Sequence, residues 1–209
     1  MKTLFISVIF SSLTHAAAPL PKALIAIEKK YQSAKTLTTE FEQTTQVALT
    51  QSQKHDKGVI SFKRPDKMHW QTMEPNPGLL VCDGKTYSIY TPPFDKNERG
   101  SVIIKKASEV RSELATQLLS GQFSGIKSLQ FKKISNFTFE LHPNKGHGSE
   151  VKSIILEINA KKEIITGVTL HHLNGNIVLL RFNNTVLGSK LDDSMFRFVP
   201  PAGTDTFKE

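Results

Sequence analysis

Residues 58–90 read GVISFKRPDKMHWQTMEPNPGLLVCDGKTYSIY, and this stretch decides the fold. It contains four short strand-like runs, separated by turn residues at 64–65, 75–78 and 83–84. These breaks are rich in Pro and Gly, which are frequent in turns because Pro fixes φ and Gly tolerates positive φ. Successive strands joined by such short turns pair with each other, so the stretch predicts an antiparallel meander.

The alternation of side chains within this stretch is as informative as its breaks. Residues i and i+2 of a strand share a face, so Ile60, Phe62 and Arg64 point the same way. Met68 and Trp70 likewise share a face after the turn. An apolar face that ends in a guanidinium is unusual for an ordinary core, and it suits an apolar trough with a polar latch at its rim.

Two segments show the apolar spacing of an amphipathic helix. Their stripes are Leu20, Leu24, Ile27 and Tyr31 in the first segment and Val110, Leu114 and Leu118 in the second. The second segment covers residues 108–120, and Gly121 after it is typical of a helix end. Packing on a sheet is the default for such helices.

Strand patterns account for most of the remaining chain. They cover residues 37–90, 102–104, 137–141, 151–158, 164–171 and 176–183, and Asn174-Gly175 predicts a hairpin between the last two. Two helices cannot cover both faces of about ten antiparallel strands. We therefore expect a mainly β (α+β) protein with a single curved antiparallel sheet and helices on its concave side. Residues 19–209 are predicted to form one domain.

Residues 1–18 are predicted to be a cleaved signal peptide. Lys2 precedes a short apolar core at residues 4–10, and small residues favour cleavage after Ala16. The apolar core is shorter than the ~20 residues of a membrane-spanning helix. The single cysteine, Cys82, forms no internal disulfide and is expected to be a small buried strand residue. These features favour the periplasm.

Composition and motifs limit the classes of function that the chain can have. The formal net charge of +8 favours approach to anionic surfaces, but the lysine pairs are scattered and lack an aromatic stacking platform for nucleic acid. Hydrolase elbow, phosphate-loop and zincin motifs are absent from the sequence. His171 and His172 should leave a strand on opposite faces, and Asp192-Asp193 is typical of a turn. We expect no enzyme activity, no cofactor and no metal; a thiol hydrolase built on Cys82 and a histidine is the catalytic alternative.

Several motifs in this order resemble the LolA family of periplasmic outer-membrane lipoprotein carriers. Residues 63–70 read Lys-Arg-Pro-x-x-Met-x-Trp, and residues 80–86 read Leu-Val-Cys-Asp-Gly-Lys-Thr. Residues 41–43 resemble the family's Phe-x-Gln, and residues 196–203 its terminal Phe-x-Phe-x-Pro-Pro-x-Gly. The resemblance implies an unclosed β-barrel with a helical lid over its concave apolar face.

The resemblance also implies roles for individual residues. Arg64 matches the arginine that holds the lid through hydrogen bonds to backbone carbonyls. The implied cavity wall is Ile60, Phe62, Met68 and Trp70, and the implied underside of the lid is Leu24, Ile27, Tyr31, Val110, Leu114 and Leu118. At the Met68 position a bulkier aromatic is expected in the family, which leaves a partner contact there open. For Trp70, core packing and lipid contact both remain open.

The function implied is that of a monomeric periplasmic carrier. It would bind the acyl chains of lipoproteins released by an inner-membrane lipoprotein-releasing ABC transporter and deliver them to an outer-membrane lipoprotein receptor. Three alternatives stay open: a carrier of another lipid or glycolipid, an acyl-substrate hydrolase, and an envelope assembly protein that binds protein without lipid. A sensor of stray lipoproteins would be expected to carry a second domain, for which the predicted mature chain of about 190 residues is too short.

Overall fold

The computed structural model describes residues 20–73, 75–95, 97–107, 117–118, 120–124, 129–143 and 150–208. Within these ranges, helix α1 (Lys22–Ala34) precedes the strands, and a 3-10 helix (Asp193–Phe196) lies near the C-terminus. The strands are β1 (Thr36–Val47), β2 (Ser52–Lys63), β3 (Lys67–Thr72), β4 (Gly78–Asp83), β5 (Thr86–Thr91), β6 (Ser101–Lys106), β7 (Leu129–Lys133), β8 (Thr138–Pro143), β9 (Val151–Asn159), β10 (Ile164–His172), β11 (Ile177–Leu187) and β12 (Asp205–Lys208).

All twelve strands belong to one sheet, in the order β12-β6-β5-β4-β3-β2-β1-β11-β10-β9-β8-β7. The two outermost strands, β12 and β7, do not pair with each other, so the sheet is open. This confirms the mainly β fold class with a single curved sheet. The breaks predicted between residues 58 and 90 are also confirmed, because β2, β3, β4 and β5 end and begin there.

Strands β7 and β12 are additional to the strands predicted from the pattern. Strand β12 is short and mostly exposed, and it pairs in parallel with β6, whereas the other pairings are antiparallel. Its position depends on distant contacts: the Asp205 amide donates to the Gly100 carbonyl (2.9 Å), and Arg99 Nε donates to the Gly203 carbonyl (2.7 Å). Because distant contacts hold this strand in place, its own sequence shows little periodicity.

Helix α1 packs on the concave face of the sheet. Leu24 and Ile27 are completely buried, and they belong to one apolar cluster with Phe41 of β1 and with residues of β8 to β11. The apolar stripe predicted for this helix therefore faces the sheet. Because the cluster extends from β2 across to β8, the helix and most of the sheet share a single core.

The opposite face of β3 and β4 is covered by the C-terminal region. The 3-10 helix packs against these two strands, and its Phe196 is fully buried. Lys63 and Lys67, which alternate with core residues of β2 and β3, both pair with Asp193 at 2.9 and 2.8 Å. Asp192 caps the 3-10 helix by accepting from the Ser194 amide (2.8 Å), as expected for a turn.

Within the described ranges, no helix has the length and apolarity to cross a membrane. The same residues contain no group of three or more His, Cys, Asp or Glu side chains arranged to hold a metal ion. The predicted signal peptide, residues 1–18, lies outside the described residues.

Candidate functional site: the lid contact around Arg64

Arg64 lies immediately after β2 and connects the sheet to two helical segments. Its Nε donates to the carbonyl of Tyr31 (2.9 Å), and its Nη2 donates to the carbonyl of Ser120 (2.6 Å). Tyr31 belongs to the last turn of α1, and Ser120 follows the helical residues Gln117 and Leu118. The guanidinium therefore connects two elements that are far apart in sequence.

Both acceptors lie at helix C-terminal ends. The second helical segment closes with Gly121 at φ +69°, where the Gln122 amide donates to the Gln117 carbonyl (2.9 Å) and the Gly121 amide to the Leu118 carbonyl (3.0 Å). This is a Schellman motif, and it confirms the helix end predicted at Gly121. Terminal carbonyls carry partial negative charge, so a guanidinium is a favourable partner for both ends.

The charge on Arg64 is partly desolvated. Burial lowers the pKa of its guanidinium below its ordinary value, while the nearby Glu28 carboxylate acts in the opposite direction. Arginine remains protonated despite such a shift, because its pKa starts far above neutrality. A half-buried, permanently charged donor is thus held by two carbonyls at the edge of the apolar core.

Tyr31 is the residue on which these contacts converge. Besides its carbonyl bond to Arg64, its phenol oxygen accepts from the amide of Ile165 on β10 (2.9 Å). Its ring lies against Gly121, where an added Cβ would come within 2.6 Å of Tyr31 Cδ2. Tyr31 is 3% exposed and therefore connects α1, the second helical segment and the sheet.

We expect Gly121→Ala to loosen the lid without touching Arg64. The φ of +69° is unfavourable for alanine by about 1–2 kcal/mol, and the added Cβ presses on a buried ring that cannot easily move. Urea unfolding should show a loss of about 2–3 kcal/mol, of which about 1–2 kcal/mol comes from φ and the rest from the contact with Tyr31. Gly203→Ala is a matched control, because that glycine also has positive φ (+81°) but nothing within 4 Å of its Cβ position. Equal losses in the two variants would show that the Tyr31 contact contributes nothing.

We expect the free energy of unfolding to fall at high pH because the buried phenol of Tyr31 ionises. Burial raises the pKa of its phenol from 10.0 to about 12. The unfolded chain then loses this proton first, so the contribution is complete below pH 10 and is lost as the pH rises through about 12. Comparison with Tyr31→Phe by urea unfolding at about pH 9 and about pH 12 should show an excess loss of about 2–3 kcal/mol in the wild type. Parallel losses in both proteins would contradict this assignment.

Glu28 is a functional candidate that was missed from the sequence. It is 7% exposed, and its Oε1 accepts from the Ser124 amide (3.1 Å), the Ser124 hydroxyl (2.7 Å) and Gln32 Nε2 (3.4 Å). The signal was present, because Glu28 lies four residues after Leu24 and three before Tyr31, on the apolar stripe of α1. A carboxylate in such a stripe indicates a specific partner.

The contact between the described lid residues and the sheet leaves little space at one position. The space between Tyr31, Ile60, Phe62 and Phe182 is about 10 Å³, about the least that a water molecule requires. A larger cavity of about 250 Å³ lies beside Arg64. Its lining includes apolar Phe62, Met68 and Tyr87 and polar Arg64, Ser120 and Gln122. A bulky apolar ligand could enter the narrow space beside Tyr31 only by displacing the side chains that line it.

The structure brings most of the predicted site residues into this core. Ile60 lies opposite Trp70 and Phe62 opposite Met68 in the β2–β3 register. Ile60, Phe62 and Met68 are buried, and Trp70 is partly exposed with its ring edge-on to Phe41 at 5.1 Å. Leu24, Ile27, Tyr31 and Leu118 are buried in the same cluster. Val110 and Leu114 lie outside the described residues.

This geometry defines a class of protein: a single open sheet whose apolar concave face is covered by helical segments. A family model described as outer membrane lipoprotein carrier protein LolA matches residues 32–199. The chain therefore belongs to the LolA family.

Several known proteins are similar to this chain. An outer-membrane lipoprotein carrier protein from Dechloromonas aromatica (strain RCB) is 24% identical over an alignment of 216 positions that covers 100% of both chains. One from Pseudoalteromonas translucida (strain TAC 125) is 25% identical, covering 86% of this chain and 84% of its own. A LolA superfamily protein from Nitrosomonas europaea superposes with a TM-score of 0.45 at 12% identity, over 84% of this chain and 96% of that one.

Proposed function

We propose that the protein is a periplasmic carrier that binds the acyl chains of lipoproteins released from the inner membrane and delivers them to an outer-membrane acceptor. Family membership supports the carrier class, since its relatives bear that name. The role does not require catalysis. In this proposal residues 1–18 are the signal peptide, and the remaining chain is one monomeric domain.

The observation that carries the proposal is the way Arg64 fastens two helix ends over a buried apolar core. Each methylene of an acyl chain costs about 0.8 kcal/mol to leave in water, so a lipoprotein anchor needs an apolar shelter to cross an aqueous compartment. Delivery also requires release. When the lid side chains fill the empty site, a ligand must displace native contacts, which keeps its net affinity moderate.

The proposed site divides into a latch, a wall and a lid. Arg64 is the latch, with donors that suit several carbonyls at once. Ile60, Phe62, Met68 and Trp70 form the wall, and Leu24, Ile27, Tyr31 and Leu118 form the underside of the lid, together with Val110 and Leu114. Opening would break the two Arg64 bonds and expose the wall to an acyl chain.

The test is to add the mature protein to spheroplasts that contain the inner-membrane releasing transporter. We expect newly made, acylated lipoproteins to appear in the soluble fraction and to co-purify with the protein. Delipidated lipoproteins are the control, because binding to them would favour an envelope assembly protein. Absence of release with a competent transporter would contradict the proposal and favour another lipid or glycolipid as cargo, or an acyl-substrate hydrolase.

A further inference from the structure

Glu28 makes a direct connection between the two helical segments that cover the core. Its carboxylate, on α1, accepts two hydrogen bonds from Ser124, which follows the second helical segment. The distances are 3.1 Å to the amide nitrogen and 2.7 Å to the hydroxyl oxygen. Hydrogen bonds to a charged acceptor are stronger than neutral ones, and the shielding of Glu28 from water preserves their strength.

This connection differs from that of Arg64 in what it holds together. Arg64 connects each helix end to the sheet, because it follows β2. Glu28 connects the helical segments directly to each other, without a strand residue between them. Residues 120–124 are thereby held at three points: the Ser120 carbonyl by Arg64, the buried Phe123 by the core, and Ser124 by Glu28.

The two connections are also electrostatically coupled. The Glu28 carboxylate favours the charged form of the Arg64 guanidinium. Both residues border an open depression of about 710 Å³ that also includes Gln32 and Ser124. On the outer side of the lid contact, the Arg64 guanidinium and the buried Glu28 carboxylate therefore bind the same two helical segments.

We propose that Glu28 is a second latch, a positioning residue that fastens the two lid segments to each other and so sets the equilibrium between the closed, empty lid and the open lid. The inference rests on the proposed function only in that the lid opens for an acyl chain. Loss of this latch destabilises the closed state. The open state is then more populated, and the apparent affinity for an acyl ligand rises by the same factor.

The first test is hydrogen exchange of the Ser124 amide, measured by NMR. In the wild-type protein this amide donates to Glu28, so Glu28→Ala should accelerate its exchange about tenfold or more. Glu28→Gln retains an acceptor oxygen without the charge and should give an intermediate rate. Lys29→Ala, at an exposed neighbouring position on α1, is the matched control and should leave the rate unchanged.

The second test uses a pyrene-labelled fatty acid as the probe. Glu28→Ala should bind it about tenfold more tightly than the wild type, and Glu28→Gln should have an intermediate affinity. A merely structural role predicts the reverse, a less stable protein with unchanged or weaker binding. Unchanged Ser124 exchange, or faster exchange without tighter binding, would overturn the inference.

Two controls separate this inference from others. Ser124→Ala removes the hydroxyl donor to Glu28 at an exposed position. If Glu28→Ala does not fold, this variant tests whether the contact holds the lid closed, with a smaller expected effect. A wild-type protein that binds fatty acid but releases no lipoprotein from spheroplasts contradicts the lipoprotein proposal and leaves the Glu28 latch standing. If the wild type does not bind the pyrene-labelled fatty acid, the exchange rate of the Ser124 amide alone decides whether Glu28 fastens the two lid segments to each other.

Discussion

Arg64→Leu should yield a folded protein that accepts lipoprotein and fails to pass it on. The substitution removes both hydrogen bonds to helix-end carbonyls, each worth on the order of 1–2 kcal/mol. It also places an apolar side chain beside the cavity that Phe62 and Met68 line. Because only the closed lid loses these bonds, the open, loaded state is favoured by roughly thirtyfold to several-hundredfold.

The measurement is the transfer of a bound lipoprotein to the outer-membrane acceptor, with probe affinity determined in parallel. We expect transfer to fall by at least tenfold while the affinity for the fatty-acid probe increases. Arg181→Leu is a suitable control, since this arginine lies on β11 with a side chain 60% exposed. Normal transfer by Arg64→Leu would show that Arg64 is not the latch. Reduced affinity would show that Arg64 holds the cargo instead of the lid.

Local chemistry predicted the central part of the fold. The strand breaks between residues 58 and 90 follow from Pro and Gly, and the shared face of Ile60 and Phe62 follows from strand geometry. The end of the second helical segment at Gly121 also depends on a few adjacent residues. Such features are encoded by neighbours in sequence, so a single chain is enough to read them.

Features set by distant partners were harder to predict. Sequence periodicity could not show that Arg64 reaches Tyr31 and Ser120, which are 33 and 56 positions away. The family resemblance implied only that Arg64 binds backbone carbonyls of the lid, and it did not identify the two acceptors. Glu28 was overlooked although its spacing places it on the apolar stripe, because its partner Ser124 lies 96 positions away. Strand β12 likewise depends on tertiary pairing with β6.

Gly58→Ala should be the most destabilising single substitution considered for this sheet. Gly58 lies on β2 opposite Phe41 of β1 and Thr72 of β3. An added Cβ would overlap the carbonyl oxygen of Gln71 and come within 2.8 Å of Phe41 Cε1. A backbone carbonyl of the neighbouring strand cannot rotate away as a side chain can. Strand β3 must therefore shift, which places the cost at about 3 kcal/mol or more.

Thermal unfolding should show this cost as a fall in Tm of about 6–12 °C. Gly78→Ala is the matched strand control, because its Cβ would meet only the Tyr90 carbonyl at an ordinary 3.8 Å. The effect should reach the ligand site, since the Phe41 ring that overlies Gly58 also packs edge-on against Trp70 at 5.1 Å. A folded Gly58→Ala protein is thus expected to show altered Trp70 fluorescence. Equal Tm values for the two variants would mean that β3 moves freely against β2, so the sheet itself, and not only the lid, could widen to admit an acyl chain.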